Sequence, residues 1–473
     1  MSFRYDAVVK LIQKQIETGT LKVGDRLPSV RQLSLMTGYS TVTVHHGYEL
    51  LESEGYCVAK PRSGFYLTRT LPPSGGFPED AGKPAEPIEA LAIPDLPQAL
   101  LLSWQKQALD AFGAPQPSDD LYDCGELDSV LRRILRGRKP TAIDMTQGDD
   151  ELRLQIARRA AKRGIVSRHQ DIVVTGSAMQ GFNLCLDAFT DPGDIILIES
   201  PSYFPTLLGI KRRNLRVVEI YSHPVTGTDP DQFEYLVRNN PIRVAVLMAN
   251  HHFPTGVTYS EDAMQRIVAA ARKHTVTIIE NDMLGELNHG KGHAPSLKQF
   301  DTDDTVVQFS SFEHSLSPEY GLGWVVGGKH SRRLLAASYL SGYVTNDRRV
   351  QRAVAEYLSS RSLDRNLRRI RDLLASRMER GLQILAENLP SDCSVSRPTG
   401  GYMCWIRAPK RFSSSSAVST LHKHDVGILP GPVFSTAHSF ENFFALNLSF
   451  PWTEANVAKL VELTRLVATE RSA

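Results

Sequence analysis

The chain is predicted to be an α/β protein in two unequal parts: a small N-terminal unit of three helices and a hairpin, then a large domain on a largely parallel sheet. Three observations predict it. The 473 residues exceed what a single compact core usually organises. The stretch LPPSGGFPEDAGKPAEPIEALAIPDLP, residues 71–97, is dense in Pro and Gly and disfavours helix and packed strand alike. Beyond it, short β-branched runs alternate with amphipathic stretches, the pattern of strands and crossover helices. The expected parts are residues 1–70, a linker over 71–98, and residues 99–473, the last divided into a larger piece at about 140–340 and a smaller one at about 345–473.

In the small unit, Tyr5, Val8, Val9, Ile12 and Ile16 recur at helical spacing, and Gly19 stops that helix. GDRLPS is a turn in which Ser29 caps a second helix running through Leu35 and ending near Gly38. Ser40 caps a third helix to Gly55, with Val44, Tyr48 and Leu51 as its inward stripe and Thr41, Thr43 and His45 on its outward face. YCVAKPRSGFYLT alternates around a Pro-Arg-Ser-Gly turn and forms a two-stranded wing. A winged helix-turn-helix needs this layout: the third helix offers short polar side chains to base edges while the second helix and the wing hold phosphates. Arg26, Arg31 and Arg62 supply charge where those contacts fall. From Met1 to Thr70 nine Lys/Arg oppose six Asp/Glu, a local excess of three beneath a whole-chain charge of +2. Spacing alone also fits a helical module for protein contact.

The stretch GDRLPSVRQLSLMTGYSTVTVHHGYELLESEGYCVAKPRSGFYL resembles the DNA-binding domain of the GntR family, through its LPSxRxL, its TV opening the third helix, its Y..LE..G and its PRSGFY wing. The family commonly carries Arg just before that TV pair, where this chain has Thr41. The resemblance implies that Arg31, Thr41, Thr43, Arg62 and Gly64 contact duplex DNA.

In the large domain DIVVTG, DIILIES, RVVEIY, VAVLMAN, VTIIEND and TVVQFSS read as strands, and MQGFNLCLDAF and EDAMQRIVAAARKH as helices. Helices are expected on both faces of the sheet, and any ligand at the carboxyl ends of its strands. The turns that follow these strands resemble those of fold-type I aminotransferases, and of the MocR-type regulators that fuse a GntR domain to such a domain. MTQGDDELRLQIARR, TGSAMQGFNL, ESPSYFP, HHFPTG and SSFEHSLSPEYGLGW carry the likeness, which runs from about Leu100 to the C-terminus.

In that family pyridoxal phosphate is held as an imine on a lysine, which requires a primary amine. The resemblance places His314 at the lysine position, and imidazole forms no imine. It places Asn281 where an Asp pairs with the pyridinium nitrogen, although a one-residue slip makes Asp282 that partner. Leu284 stands for a ring-hydroxyl Tyr, Gly321 for a phosphate-clamping Arg, and Ala445 for an Arg that grips the substrate carboxylate. Glu319 adds negative charge nearby. The helix start at Gly176, Ser177 and Ala178 remains as an anion-favouring turn, and Tyr203, His251 and Ser311 complete the expected pocket. Lys291, Lys298 and Lys329 read as solvated surface charge rather than substitutes. His251, His252 and His314 with Asp282 and Glu313 raise the thought of a metal, against which hydrogen-bonded packing is the default.

RSLDRNLRRIRDLLASRMERG reads as a helix with Leu367, Ile370 and Leu374 buried and Arg365, Arg368, Arg369 and Arg371 on a solvated face, with DNA-backbone contact as an added option. RFSSSSAV, residues 411–418, reads as a surface loop. The five cysteines (Cys57, Cys124, Cys185, Cys393, Cys404) form no CxxC pair, MSFRYDAVVK lacks a signal peptide's apolar stretch, and no run of about 18 apolar residues occurs. The expectation is a soluble, reduced, cytoplasmic protein without a membrane partner. The combined reading is a homodimeric, DNA-binding transcription regulator. Its aminotransferase-like domain serves effector binding or dimerisation, with no catalytic residue, metal or covalent cofactor and an unidentified small-molecule effector as its ligand. The alternatives are a regulator that binds pyridoxal phosphate noncovalently and an active pyridoxal-phosphate-dependent aminotransferase.

Overall fold

The computed structural model describes residues 4–17, 20–53, 56–60, 63–68, 77–78, 112–137, 147–290, 292–341, 347–360, 362–437 and 439–469. At the N-terminus stand helices α1 (Arg4–Glu17), α2 (Val30–Thr37) and α3 (Thr41–Ser53) and the antiparallel hairpin of β1 (Cys57–Lys60) and β2 (Gly64–Leu67), in which Lys60 faces Gly64. Gly19 and Gly55, the expected ends of α1 and α3, lie outside the described residues. Ser29 opens α2 with a capping box: its Oγ accepts the Gln32 N–H at 3.2 Å and Gln32 Oε1 accepts the Ser29 N–H at 3.0 Å. Gly38 closes it at φ 73°, a left-handed conformation that favours glycine. Val8, Ile12, Leu33, Val44, Tyr48 and Leu51 are fully buried and form this unit's own core.

A Cβ on Gly47 of α3 would lie 2.8 Å from Val8 Cγ1, so the close approach of α1 and α3 depends on glycine there. Gly47→Val is expected to destabilise this unit by about 1–3 kcal/mol through overpacking. The check is a lowered thermal midpoint for the transition that exposes Tyr48; an unchanged midpoint would show that the helices separate at no cost.

The large sheet has eight strands: β3 (Ile172–Thr175), β4 (Ile195–Ser200), β5 (Arg216–His223), β6 (Gly227–Thr228), β7 (Ile242–Leu247), β8 (Thr277–Asn281), β9 (Val306–Ser311) and β10 (Gly323–Val326). Their order is β3-β10-β9-β8-β7-β4-β5-β6, with a parallel run from β5 through β4, β7 and β8 to β9. All six runs expected as strands are strands. β10, antiparallel between β9 and β3, and the two-residue edge strand β6 were not expected. β10 has only four residues and begins inside a segment whose turn residues dominate its sequence signal.

The pleat divides the sheet between two cores. Ile196 and Ile198 of β4 join Phe182 from the helix Ala178–Phe189, while Ile195 and Leu197 join Phe233 from Pro230–Asn239 and Met264 and Ile267 from Glu261–Lys273. Helices therefore cover both faces, as parallel strands buried on both sides require. A smaller antiparallel sheet, ordered β11 (Ser394–Val395), β12 (Met403–Arg407), β14 (Phe443–Asn447), β13 (Leu429–Pro430), carries the C-terminal part.

Three expectations are corrected here. The serine run is not a loop: Ser413 Oγ accepts the Ser416 N–H at 3.2 Å and caps the helix Ser414–His422, whose Ala417 and Leu421 face the core. Capping strength outweighed the helix-weakening character of serine. The basic helix, Ser362–Asn388, buries Leu367, Ile370 and Leu374, but its arginines are not uniformly solvated. Arg365, Arg368 and Arg369 are exposed, although Arg369 Nη2 donates to Leu121 O at 2.5 Å, while Arg371 is half-buried with its Nε donating to Glu286 O at 2.6 Å. Within the expected linker, Phe77 is 6% exposed and belongs to the large core, its ring 6.3 Å from that of His223; the linker's other residues, Pro78 excepted, lie outside the described residues. No helix among the described residues is long and apolar enough to cross a membrane.

Candidate functional site

Helix α3 turns its first residues outward. Ser40 Oγ accepts the Thr43 N–H at 3.1 Å, and Thr41 and His45 are exposed. Thr43 departs from the expectation of a freely outward face: it is half-buried and its Oγ1 lies 2.8 Å from Ser40 Oγ, because the capping serine draws the third helical residue toward itself. His45 Nδ1 lies 3.2 Å from Glu49 Oε1, one turn on. Arg31 is exposed on the first turn of α2. Arg26 is exposed and forms an isolated bridge with Tyr66, its guanidinium against the wing, where a Cβ on Gly64 (φ 103°) would stand 3.3 Å from Arg26 Nε. Gly64 thus makes room for an arginine as well as a turn. Arg62 lies outside the described residues.

One residue escaped the sequence reading. Val42 is 77% exposed between Thr41 and Thr43. An apolar side chain there suits contact with a thymine methyl group. Its offset from the inward Val44-Tyr48-Leu51 stripe was the signal that could have found it.

In the large domain, the turns after β3 and β9 meet. Ser177 caps the helix Ala178–Phe189, accepting the Gln180 N–H at 3.0 Å, while Gln180 Oε1 accepts the Gly176 N–H. The Ala178 N–H donates to Glu313 Oε2 at 3.2 Å. Two amides of the turn expected to favour an anion thus already have side-chain acceptors, one of them a carboxylate. Glu313 also displaces Glu319 as the acidic neighbour, since Glu319 is exposed and donates its own N–H to Ser317 Oγ at 3.2 Å. A Cβ at Gly321 (φ 30°) would lie 3.6 Å from Gly176 O, so this position does look onto the turn, without a guanidinium. Ser311, at the end of β9, is buried and accepts the Glu313 N–H at 3.4 Å.

His314 is 2% exposed, its ring 5.8 Å from that of Tyr402, and its Nδ1 has no hydrogen-bond partner. Burial lowers its pKa from 6.5 to about 4, so the imidazole is neutral at pH 7. A histidine depressed on folding contributes stability that is fully present above 6.5 and lost as pH falls through about 4. His314→Gln is therefore expected to flatten the fall in denaturation midpoint across that window; an unaltered slope would show that His314 does not titrate on unfolding.

Asn281 closes β8 in phase with Ile279, which belongs to the core of the Ala178–Phe189 helix; its Oδ1 accepts the Met283 N–H at 3.1 Å. Asp282, the alternative after a one-residue slip, is already engaged. Arg163 Nη2 donates to its Oδ1 at 2.8 Å, Arg163 Nη1 bonds its Oδ2, and Asn250 Nδ2 donates to Oδ1 at 2.7 Å. Burial alone would lower the Arg163 pKa, but the Asp282 carboxylate reverses this and holds the guanidinium charged. Leu284 is buried beside Gly401, where a Cβ would meet its Cδ1 at 3.4 Å. Tyr203 is half-buried with its ring 5.0 Å from Phe253. Ala445, in β14, pairs with Trp405 across β12 and belongs to an apolar cluster with Phe434 and Phe440.

His251 and His252 each engage other side chains. His251 (φ 45°) places Nδ1 3.1 Å from Thr258 Oγ1, and His252 lies between Thr255 Oγ1 at 2.8 Å and Glu199 Oε2 at 3.5 Å. Burial holds both near pKa 3. Among the described residues no group of three His, Cys, Asp or Glu is arranged to hold a metal ion. Lys298 corrects a further expectation: it is 4% exposed, its Nζ bonded to Asp301 at 2.8 Å, Asp304 at 3.2 Å and Val306 O at 2.7 Å. Its long stem is buried beneath two carboxylates that the local sequence did not reveal as partners. Lys329 is exposed and Lys291 lies outside the described residues.

Residues 4–67 match the family described as Bacterial regulatory proteins, gntR family, and residues 120–462 match Aminotransferase class I and II. An uncharacterized HTH-type transcriptional regulator of Escherichia coli strain K12, YdcR, is 31% identical over 466 residues, covering 98% of this chain and 99% of its own length. The HTH-type transcriptional regulator TauR of Rhodobacter capsulatus is 25% identical, over 93% of this chain and 91% of its own. Among solved structures, the α-aminoadipate aminotransferase LysN of Thermus thermophilus shares the fold with a TM-score of 0.71 at 22% identity, covering 78% of this chain and 94% of that one. The chain belongs to the HTH-type transcriptional regulators that join a GntR-type helix-turn-helix domain to an aminotransferase class I and II domain.

Proposed function

We propose that this regulator reads duplex DNA with residues 1–70 and uses residues 99–473, reached through the linker at 71–98, for dimerisation and effector binding, without covalent pyridoxal phosphate and without transaminase activity. Arg31, Thr41 and His45 face the DNA, Val42 adds apolar contact, and Arg26 and the wing steady the backbone. Two copies are required because helix-turn-helix domains of this kind read paired half-sites. The protein works in the cytoplasm, where its target lies.

The observation that carries the reading is His314, a buried neutral imidazole in the turn where the resemblance calls for the imine-forming lysine. Glu313 on the Ala178 amide, Gly321 without a guanidinium and Ala445 in an apolar cluster support it. The residues present do not fit the cofactor. After incubation with pyridoxal phosphate, dialysis and borohydride reduction, peptide mapping should find no single modified lysine. A stoichiometric reduced adduct on one lysine would overturn the reading and restore the aminotransferase.

A further inference from the structure

We infer that Glu313 sets the ligand class of the pocket: its carboxylate is a built-in anion on the helix that begins at Ala178, closing this end to phosphate and leaving it to ligands with a neutral or amine-bearing end. The inference rests on the proposed reading of the same pocket. A helix N-terminus attracts anions because its first amides lack partners and the aligned peptide dipoles are positive there. Here two of the helix's first three amides, and the Gly176 amide before them, are met from within the chain. Ala178 N–H is held by Glu313 Oε2 at 3.2 Å, across 135 residues of sequence, Gly176 N–H by Gln180 Oε1, and Gln180 N–H by Ser177 Oγ at 3.0 Å.

Charge acts in the same direction as geometry. Glu313 is half-buried, and among the described residues it forms no ion pair with Lys or Arg. Gly321, whose absent Cβ looks onto Gly176 O, brings no cation. His314 beside it is neutral, and the phenols of Tyr203 and Tyr402 stay protonated, held up by burial first and by the Glu313 charge among the lesser causes. A phosphate here would have to displace a tethered carboxylate or sit beside it, and like charges held close together repel. An amine would find a counter-ion already in place.

The test uses pyridoxine 5′-phosphate and pyridoxine, which differ only in the phosphate and carry no aldehyde, so imine formation at any lysine does not enter. Binding of both to the full-length protein is measured by equilibrium dialysis for wild type, Glu313→Gln and Glu313→Ser, each checked for an unchanged thermal midpoint. Wild type should bind the phosphorylated compound no more tightly than the plain one, and both variants should shift the ratio at least about tenfold toward the phosphate. The glutamine variant keeps the shape and removes the charge; the serine variant also removes the bulk. A wild type that already prefers the phosphorylated compound tenfold overturns the inference, as do folded variants whose ratio is unchanged or that bind no pyridoxine phosphate. A lysine adduct in the borohydride experiment would overturn the cofactor reading alone, since this ratio is read without imine chemistry.

Discussion

Arg163→Ala should destabilise the large domain by about 3–5 kcal/mol, the usual cost of leaving one member of a buried ion pair behind. Arg163 and Asp282 have side chains 6% and 2% exposed, and the pair is bidentate, so the carboxylate left by the mutation would be buried with Asn250 Nδ2 as its remaining side-chain partner. Desolvation is what makes the loss large: the same pair at the surface would contribute about 1 kcal/mol or less. The measurement is the denaturant midpoint of the large domain, with the slope m unchanged. Replacing both partners, Arg163→Met with Asp282→Leu, should recover much of the loss, because the uncompensated charge disappears with its partner. If the single and double variants lose equally, packing rather than charge pairing governs the site.

Arg31→Ala combined with Thr41→Ala should weaken binding to a selected operator by about 2–6 kcal/mol, at about 1–3 kcal/mol for each side chain withdrawn from a base edge or the sugar-phosphate backbone. Arg31 and Thr41 stand exposed at the starts of α2 and α3, where a docked recognition helix meets phosphates and base edges. An operator selected from a random duplex library serves as probe. The arginine's share should also appear as a salt dependence reduced by about one unit of slope. Thr43→Ala should cost less affinity, since its hydroxyl is committed to Ser40. A double variant that keeps the wild-type footprint and slope would remove this face from the DNA interface.

Much of the architecture was legible because it follows from periodicity and capping, which are local. The inward residues of α1 and α3, the Ser29 and Ser40 caps and six strands of the large sheet all announce themselves within a few residues. What escaped depends on partners that the local pattern does not reveal. Lys298 looked solvated until Asp301 and Asp304 folded over it, and Arg369 and Arg371 looked free until Leu121 and Glu286 reached them. The choice between Asn281 and Asp282 could not be made from the string, and neither could the bond that Arg163 makes to Asp282 across 119 residues. Glu313 is the sharpest case, since the resemblance draws the eye to its neighbour His314 while its own carboxylate lies on an amide of the facing turn.

Phe77 shortens the leash of the DNA-reading head. Counted in sequence, the Pro/Gly-rich connection runs over 71–98, but its chain is already fastened to the large core at Phe77. Nine residue steps lead from Thr68, at the end of the wing, to that anchor, and nine steps of fully extended chain span about 30 Å. Each head is thus confined to a shell of that radius around a fixed point on the body, and in a dimer the distance between the two Phe77 anchors bounds which half-site spacings can be gripped together. If the large domains pair, operator spacing becomes a property of their assembly as much as of the wing and recognition helix.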